Sequence, residues 1–214
     1  MNRQPFLTLA RLGQASLSEK KSTFFASAAP VESEEEVQAI LLEIRNRYQE
    51  ANHHVYAYKI GPDEQIQRAN DAGEPGGTAG RPCLEAIKKA GLKNTLVVVS
   101  RYFGGILLGA GGLTRAYGKA AALAIEAAGI VKKIPAASFC LTFDYTLLGR
   151  MESFLSSQNY PIEQKNYSQD ISFLCLLPEE SKEEISQKLT ELAGGRLHIM
   201  EIASDRWIRA IHNS

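Results

Sequence analysis

Several things are scarce in this chain of 214 residues. Only three cysteines occur, Cys83, Cys140 and Cys175, odd in number, far apart and without a C-x-x-C spacing. That argues against a disulfide framework and against a cysteine-built zinc site. Cys140 and Cys175 fall in apolar runs, where a free thiol acts as a small hydrophobe. Cys83, near a helix start, is where a nucleophilic thiol could stand. No apolar run is long enough to span a bilayer, and the amino terminus lacks the charged, apolar and small-residue order of a secretory leader. The expectation is a cytoplasmic protein with no membrane partner. Net charge is missing too, since 24 Lys and Arg balance 24 Asp and Glu. The balance is uneven: bases outnumber acids over 1–135 and acids outnumber bases over 136–214. The amino-terminal part is therefore the candidate for an anionic partner, although the bias is far milder than a strongly basic nucleic-acid footprint.

Familiar catalytic signatures are also absent. There is no G-x-S-x-G. Gly109-x-Gly111 lacks the third glycine of the dinucleotide fingerprint. Gly118-Lys119 is followed by Ala120, and no glycine stands five residues earlier, so a P-loop is excluded as well. No H-x-x-x-H or His/Cys cluster exists, so neither a metal nor another cofactor is expected.

Glycine, in contrast, is concentrated. More than half of the 17 glycines lie in two stretches, 70–82 and 100–118, whose other residues are largely acids, arginines, small hydroxyls and tyrosines. Each stretch leads into a predicted helix, where free backbone N–H groups can receive an anion. Arg115 and Lys119 are four apart and share a helix face. Arg101 closes a predicted strand and Arg81 precedes the other helix, so four cations could converge on one groove. The candidate ligand or phosphate contacts are Gly76, Gly77, Thr78, Arg81, Arg101, Gly104, Gly105, Gly111, Gly112, Arg115 and Lys119. Gly105, Gly111 and Gly112 are expected to hold conformations or contacts that a Cβ would disturb. Asp71 and Glu74 could serve as base or metal ligand, but bracing the loop or pairing with Arg81 and Arg101 is the favoured role. His53 and His54 precede a strand, so one must point to each face. His53, Asp71 and Glu74 are the acid/base candidates if a reaction is catalysed.

The surrounding pattern is α+β. Strands are predicted at 6–12 and 22–29 around a polar turn at 18–21. Ser33 and Glu36 form a capping-box pattern ahead of a helix reaching about Glu50. A strand follows at 55–60, then a long loop over 63–80. A helix then has Pro82 in its first turn and Gly91 at its stop. A buried strand at 95–100 and an Ala-rich helix over 112–128, closed by Gly129, complete this part. After Pro135 strands at 139–145, 160–167, 171–177 and 197–202 alternate with two helices in β-α-β-β-α-β order, the ferredoxin-like unit. Domains of 1–135 and 136–214 are predicted, separating near residues 132–137.

At its two glycine-rich stretches the chain resembles the YigZ/IMPACT family. The family's acid-Gly-Glu-Pro-x-Gly-Thr-Ala-Gly loop stands here at 71–80. Its Arg-Tyr-Phe-Gly-Gly-x-x-Leu-Gly-x-Gly-Gly-Leu-x-Arg-Ala-Tyr-Gly stretch stands at 101–118. His53 and Tyr56-Ala57 fit its Ala-x-His-x-x-Tyr-Ala segment. Ala72 departs from the pattern where members often carry a second acid, which weakens a two-acid metal or catalytic role. The resemblance implies a ribosomal-protein-S5 domain-2-like fold for 1–135 and a ferredoxin-like second domain. It implies regulation of translation through a protein partner in the eukaryotic relatives, and no settled activity in bacterial ones. Three readings follow: a non-enzymatic, translation-linked protein binding RNA or the ribosome, an enzyme acting on a small phosphorylated or peptide-like substrate, and a protein-interaction module.

Overall fold

A computed structural model describes residues 3–61 and 66–210. The chain divides into two compact units, Phe6–Val131 and a second made of Met1–Pro5 with Lys132–Ser214.

The first unit contains β1 (Phe6–Leu9), β2 (Gly13–Glu19), β3 (Ser22–Pro30), α1 (Glu34–Arg47), β4 (His53–Ile60), β5 (Ile66–Asn70), α2 (Gly80–Lys89), β6 (Thr95–Tyr102) and α3 (Gly109–Ala128). Strands β2, β3, β6, β4 and β5 form one sheet in that order, with every neighbouring pair antiparallel. Side chains alternate between faces along a strand, and here both faces are covered. Val97 and Val99 of β6 join Ala26 and Ala28 of β3 and Val55 and Ala57 of β4 in a core roofed by α2 and α3. Leu96 and Val98 point the other way, with Tyr58 and Ile60, onto Val37, Leu41 and Ile44 of α1. Helix α1 starts as its sequence signals: Ser33 Oγ accepts from the N–H of Glu36, while the Glu36 carboxylate accepts from the N–H of Glu32. Pro82 lies in the first turn of α2, and Gly91 follows that helix with φ +66°.

Two edge strands, β2 and β5, are not foreshadowed by the sequence. Each has little apolar content because an edge strand shows much of its surface to water. The expected loop over 63–80 is therefore shorter: 66–70 is strand, and 62–65 lie outside the described residues. The β2–β3 turn is made by Lys20 and Lys21, both at positive φ, a conformation that tight hairpins usually fill with Asn or Gly. Helix α3 begins at Gly109, three residues before the predicted start. Its alanines let it lie close on the sheet. A Cβ at Gly13 of β2 would stand 2.1 Å from the Ala128 backbone nitrogen.

The second unit contains most of β7 (Ile130–Phe143), then α4 (Leu148–Ser157), β8 (Ile162–Tyr167), β9 (Ile171–Pro178), α5 (Lys182–Leu192) and β10 (Leu197–Arg209). Within it β10, β7, β9 and β8 are antiparallel neighbours in that order. Phe139, Leu141, Phe143, Phe173 and Cys175 pack on Met151 and Leu155 of α4 and on Ile185 and Leu189 of α5. The stretch 132–137, expected as a separation point, is continuous strand: β7 runs unbroken from Ile130, and Lys133 already pairs with Arg209. Arg3 pairs with Glu179 and donates to the carbonyls of Ala136, Ser204 and Arg206, which fastens the amino terminus to this unit.

Gly13→Ala should lower the unfolding free energy of the first unit by at least about 2 kcal/mol, because backbone must move to admit the methyl group. Gly76→Ala, with open space at its Cβ, should stay within about 0.5 kcal/mol of the parent. Urea denaturation reads both, and equal midpoints for the two variants would contradict the close approach of α3 to β2.

Candidate functional site

The antiparallel register aligns Phe24 of β3, Arg101 of β6 and His53 of β4 on one rung. Partners directly opposite share a face, so all three point toward α2 and α3. His54, opposite Ser100, points toward α1, where its Nδ1 lies 2.9 Å from Ser100 Oγ. Burial, Arg45 and His53 all push the His54 pKa below its usual value.

Arg101 ends up 4% exposed and Glu74 8%. Arg101 Nη1 donates to Glu74 Oε1 at 2.7 Å, and Tyr117 of α3 donates its hydroxyl to the same oxygen at 2.7 Å. Arg101 Nη2 reaches Ser22 Oγ at 3.2 Å, and Nε is a buried donor with no partner. The guanidinium carbon lies 5.5 Å from the Phe24 ring centre and 5.4 Å from that of Phe103, so the cation is held by aromatic faces as well as by its counter-ion. Tyr117 packs edge-on against Phe24. Burial, reinforced by Glu74, pushes its phenol far above the ordinary range. His53 Nδ1 lies 2.9 Å from the Ala72 carbonyl. A carbonyl only accepts, so Nδ1 carries the proton, and Nε2 faces Glu74 Oε1 at 3.9 Å.

Asp71 organises the other end of the same loop. Its Oδ1 accepts from the N–H groups of Ala79 and Gly80 at 3.0 and 2.8 Å, and Oδ2 from that of Gly77 at 2.9 Å. Burial alone would raise the Asp71 pKa, but these three donors outweigh it and hold the carboxyl below its ordinary value. The start of α2, expected to receive an external anion, is thus already occupied by a carboxylate of the chain itself. Among the expected contacts, Gly77 gives its N–H to Asp71, and Thr78 turns its hydroxyl to the Pro75 carbonyl at 2.7 Å. Gly76 is exposed. Gly80 has a packing role, because a Cβ there would meet the Asn70 backbone at 2.8 Å.

The second stretch is more open. Gly104 lies against the β2–β3 turn, where a Cβ would come within 2.0 Å of the Lys21 carbonyl oxygen. Gly105 has φ +81°, and a Cβ at Gly112 would press Leu108 Cβ at 3.1 Å. Gly111 does not meet the same expectation: its Cβ would find only Arg115 Nη1 at 3.8 Å, an ordinary contact within an exposed first turn. Helix α3 has no side-chain cap and no acid in its first turn. Arg115 and Lys119 are exposed on this helix, Arg81 is exposed on α2, and no ion pair engages any of the three among the described residues. The two helices meet where a Cβ at Gly118 would lie 3.9 Å from Pro82 Cβ. Arg101 therefore does not join the other three as a surface cation; it is buried and neutralised. Cys83 is fully buried, and burial pushes its thiol far above the ordinary range, so it is no nucleophile. The sequence reading missed Tyr117, Ser22 and Phe103. Tyr117 carries the one available signal, a lone aromatic on the inward stripe of an Ala-rich helix. Among the described residues no three metal-ligating side chains converge.

These observations define a two-unit α+β protein whose glycine-rich loops are braced from within by acids and bordered outside by exposed cations. A model of the Impact N-terminal domain matches residues 20–125, and one for a domain of unknown function, DUF1949, matches residues 141–196. The chain is 38% identical over 196 residues to the IMPACT family member YvyE of Bacillus subtilis, spanning 92% of this chain and 90% of that one. It is 34% identical over 185 residues to the family member YigZ of Escherichia coli, spanning 86% and 91%. A solved structure described as the crystal structure of a hypothetical protein is 32% identical, with a TM-score of 0.62, and spans 92% of this chain and 97% of that one. The chain belongs to the IMPACT family.

Glu74→Gln leaves a buried guanidinium without its counter-ion and should cost about 3–5 kcal/mol of stability. Glu74→Gln combined with Arg101→Met should recover part of that loss in urea denaturation. Asp71 offers a pH test. Its folded pKa is depressed, so its contribution is complete above the unfolded value of about 4 and is lost as pH falls through the lower folded value. The stability gap between the parent and Asp71→Asn should be constant above about pH 5 and narrow below about pH 4. A gap that widens on acidification would contradict the bracing role.

Proposed function

We propose that the protein is a non-enzymatic, translation-linked binding protein whose α2–α3 surface holds a phosphate-bearing partner, RNA or the ribosome. The observation that carries this reading is the position of Arg81, Arg115 and Lys119: exposed, unpaired among the described residues, and grouped on two contacting helices beside the uncapped, glycine-rich start of α3. Helix N-termini and arginine forks both suit phosphate oxygens. Charge distribution supports the same face. Helices α2 and α3 carry Arg81, Lys88, Lys89, Arg115 and Lys119 against Glu85 and Glu126. Helix α1, across the sheet, carries Glu34, Glu35, Glu36 and Glu43 against Arg45 and Arg47.

The proposed contacts are Arg81, Arg115 and Lys119 with the backbone around Gly105, Gly111 and Gly112. The acid/base candidates are turned to internal partners, which supports the non-enzymatic reading: Asp71 accepts from three backbone N–H groups, Glu74 Oε1 accepts from Arg101 and Tyr117, and His53 Nδ1 is tied to the Ala72 carbonyl. We take the first domain, 1–135, as ribosomal-protein-S5 domain-2-like and the second, 136–214, as ferredoxin-like, supported by the antiparallel pairing of β10 with β7, β7 with β9 and β9 with β8. Cytoplasmic residence fits the absence of a membrane-spanning helix among the described residues.

The test is RNA binding measured against salt. Log affinity should fall linearly with log salt concentration, with a slope set by the phosphates neutralised. Arg115→Ala with Lys119→Ala should weaken binding and make that slope shallower by about 2, at unchanged thermal stability. Unchanged affinity in the double variant would overturn the reading.

A further inference from the structure

The loop between β6 and α3 exposes apolar side chains beside these cations: Phe103 is 44% exposed, Ile106 42% and Leu107 82%. Phe103 is held in place. Its backbone N–H donates to Asn52 Oδ1 at 2.7 Å, and its ring rests on the buried Arg101 guanidinium at 5.4 Å. Arg101 is itself locked by Glu74 and Ser22. One side of the ring therefore faces a fixed cation, and the residue as a whole stays 44% exposed. The next residue, Gly104, abuts the Lys21 carbonyl, which brings the Lys20–Lys21 turn alongside. Both lysines are exposed, and among the described residues neither makes an ion pair. Arg115 follows on the first turns of α3, on the far side of the loop in sequence. An immobilised aromatic face flanked by cations is what an unpaired nucleotide needs: a base can stack while its neighbouring phosphates are neutralised. A duplex buries its base faces within its own stack, so it could use the cations but not the ring.

We propose that residues 103–107 form a stacking platform, so that this surface takes single-stranded RNA in preference to duplex. Phe103 lies under a base, Lys20, Lys21 and Arg115 take the flanking phosphates, and Ile106 with Leu107 covers the base edge. This rests on the RNA-binding reading above and adds to it the strandedness of the ligand and the residues that sense it.

The experiment uses the full chain and two labelled probes, an oligouridine of about twelve nucleotides and an RNA duplex of the same length, read by fluorescence anisotropy over a salt series. The parent should bind the single strand at least about tenfold more tightly than the duplex. Phe103→Ala and Phe103→Leu should each remove most of that preference and leave the salt slope unchanged, because no charge is lost. Leucine keeps the apolar bulk and separates stacking from general hydrophobic contact. Lys20→Ala with Lys21→Ala should make the single-strand slope shallower by about 1.4 and keep the strand preference. Equal affinity for both probes, or full retention of the preference in Phe103→Leu, would overturn the platform and leave the RNA-binding reading standing. No salt-dependent binding to either probe would remove the reading and the platform together. Capture of an acidic protein through this loop, insensitive to salt and without RNA affinity, would do the same.

Discussion

The ion pair between Glu74 and Arg101 holds the candidate site together. Burying two charges is costly, and the cost is offset only when geometry is good and further groups satisfy the remaining capacity. Here Tyr117 adds a second donor to the same carboxylate oxygen, Ser22 takes a second guanidinium nitrogen, and two phenylalanine rings border the cation. The six participants come from β3, β6, α3, the 71–79 loop and the β6–α3 connection. One buried charge pair therefore fixes the mutual position of both glycine-rich stretches. Asp71, three residues before Glu74, extends the clamp by taking up the N–H groups at the start of α2.

This interior bracing decides what is left for a partner. The two acids of the first stretch are directed inward, one to a buried arginine and the other to backbone donors. They do not neutralise the surface. Arg81, Arg115 and Lys119 remain unpaired among the described residues, on the face of the sheet opposite the acidic α1. A mild overall excess of base in the amino-terminal part thus becomes a sided distribution. Association steered by charge responds to that local field more than to net charge.

Where a residue's role follows from local pattern, the sequence is a good guide. The capping box at Ser33 and Glu36, Pro82 in the first turn of α2 and Gly129 closing α3 each depend on a few neighbouring positions, and each stands as read. The β-α-β-β-α-β order after Pro135 is legible for the same reason, although β7 and β10 run longer than their apolar runs suggest. Edge strands β2 and β5 are not legible, because their pairing partners supply the order that their own composition does not. The site was legible in outline: both stretches do come together, and His53 does face them. The fate of Arg101 was not. Its burial depends on the rung it shares with Phe24 and His53 and on Tyr117, contacts set by register across three strands and a helix. An arginine at the end of an apolar strand reads as an exposed terminus until that register is known.

The glycines make the same point from the opposite direction. Their density suggests a flexible cradle shaped around a ligand, yet several serve close approach of one backbone to another. Gly13 admits the end of α3, Gly80 admits the Asn70 backbone, and Gly104 admits the β2–β3 turn. Gly105 is different, since its positive φ is what turns the chain from β6 toward α3. A side chain at Gly104 would push the Lys20–Lys21 turn away from the loop. A side chain at Gly105 would oppose the bend that follows Phe103. Glycine here therefore supplies rigidity. It removes the atoms that would keep elements apart, and the arginine–glutamate clamp then holds the closed arrangement. The proposed platform, an aromatic ring and several cations at fixed spacing, would gain more from that stiffness than from loop mobility, because ordering a floppy loop on binding would subtract from the affinity it provides.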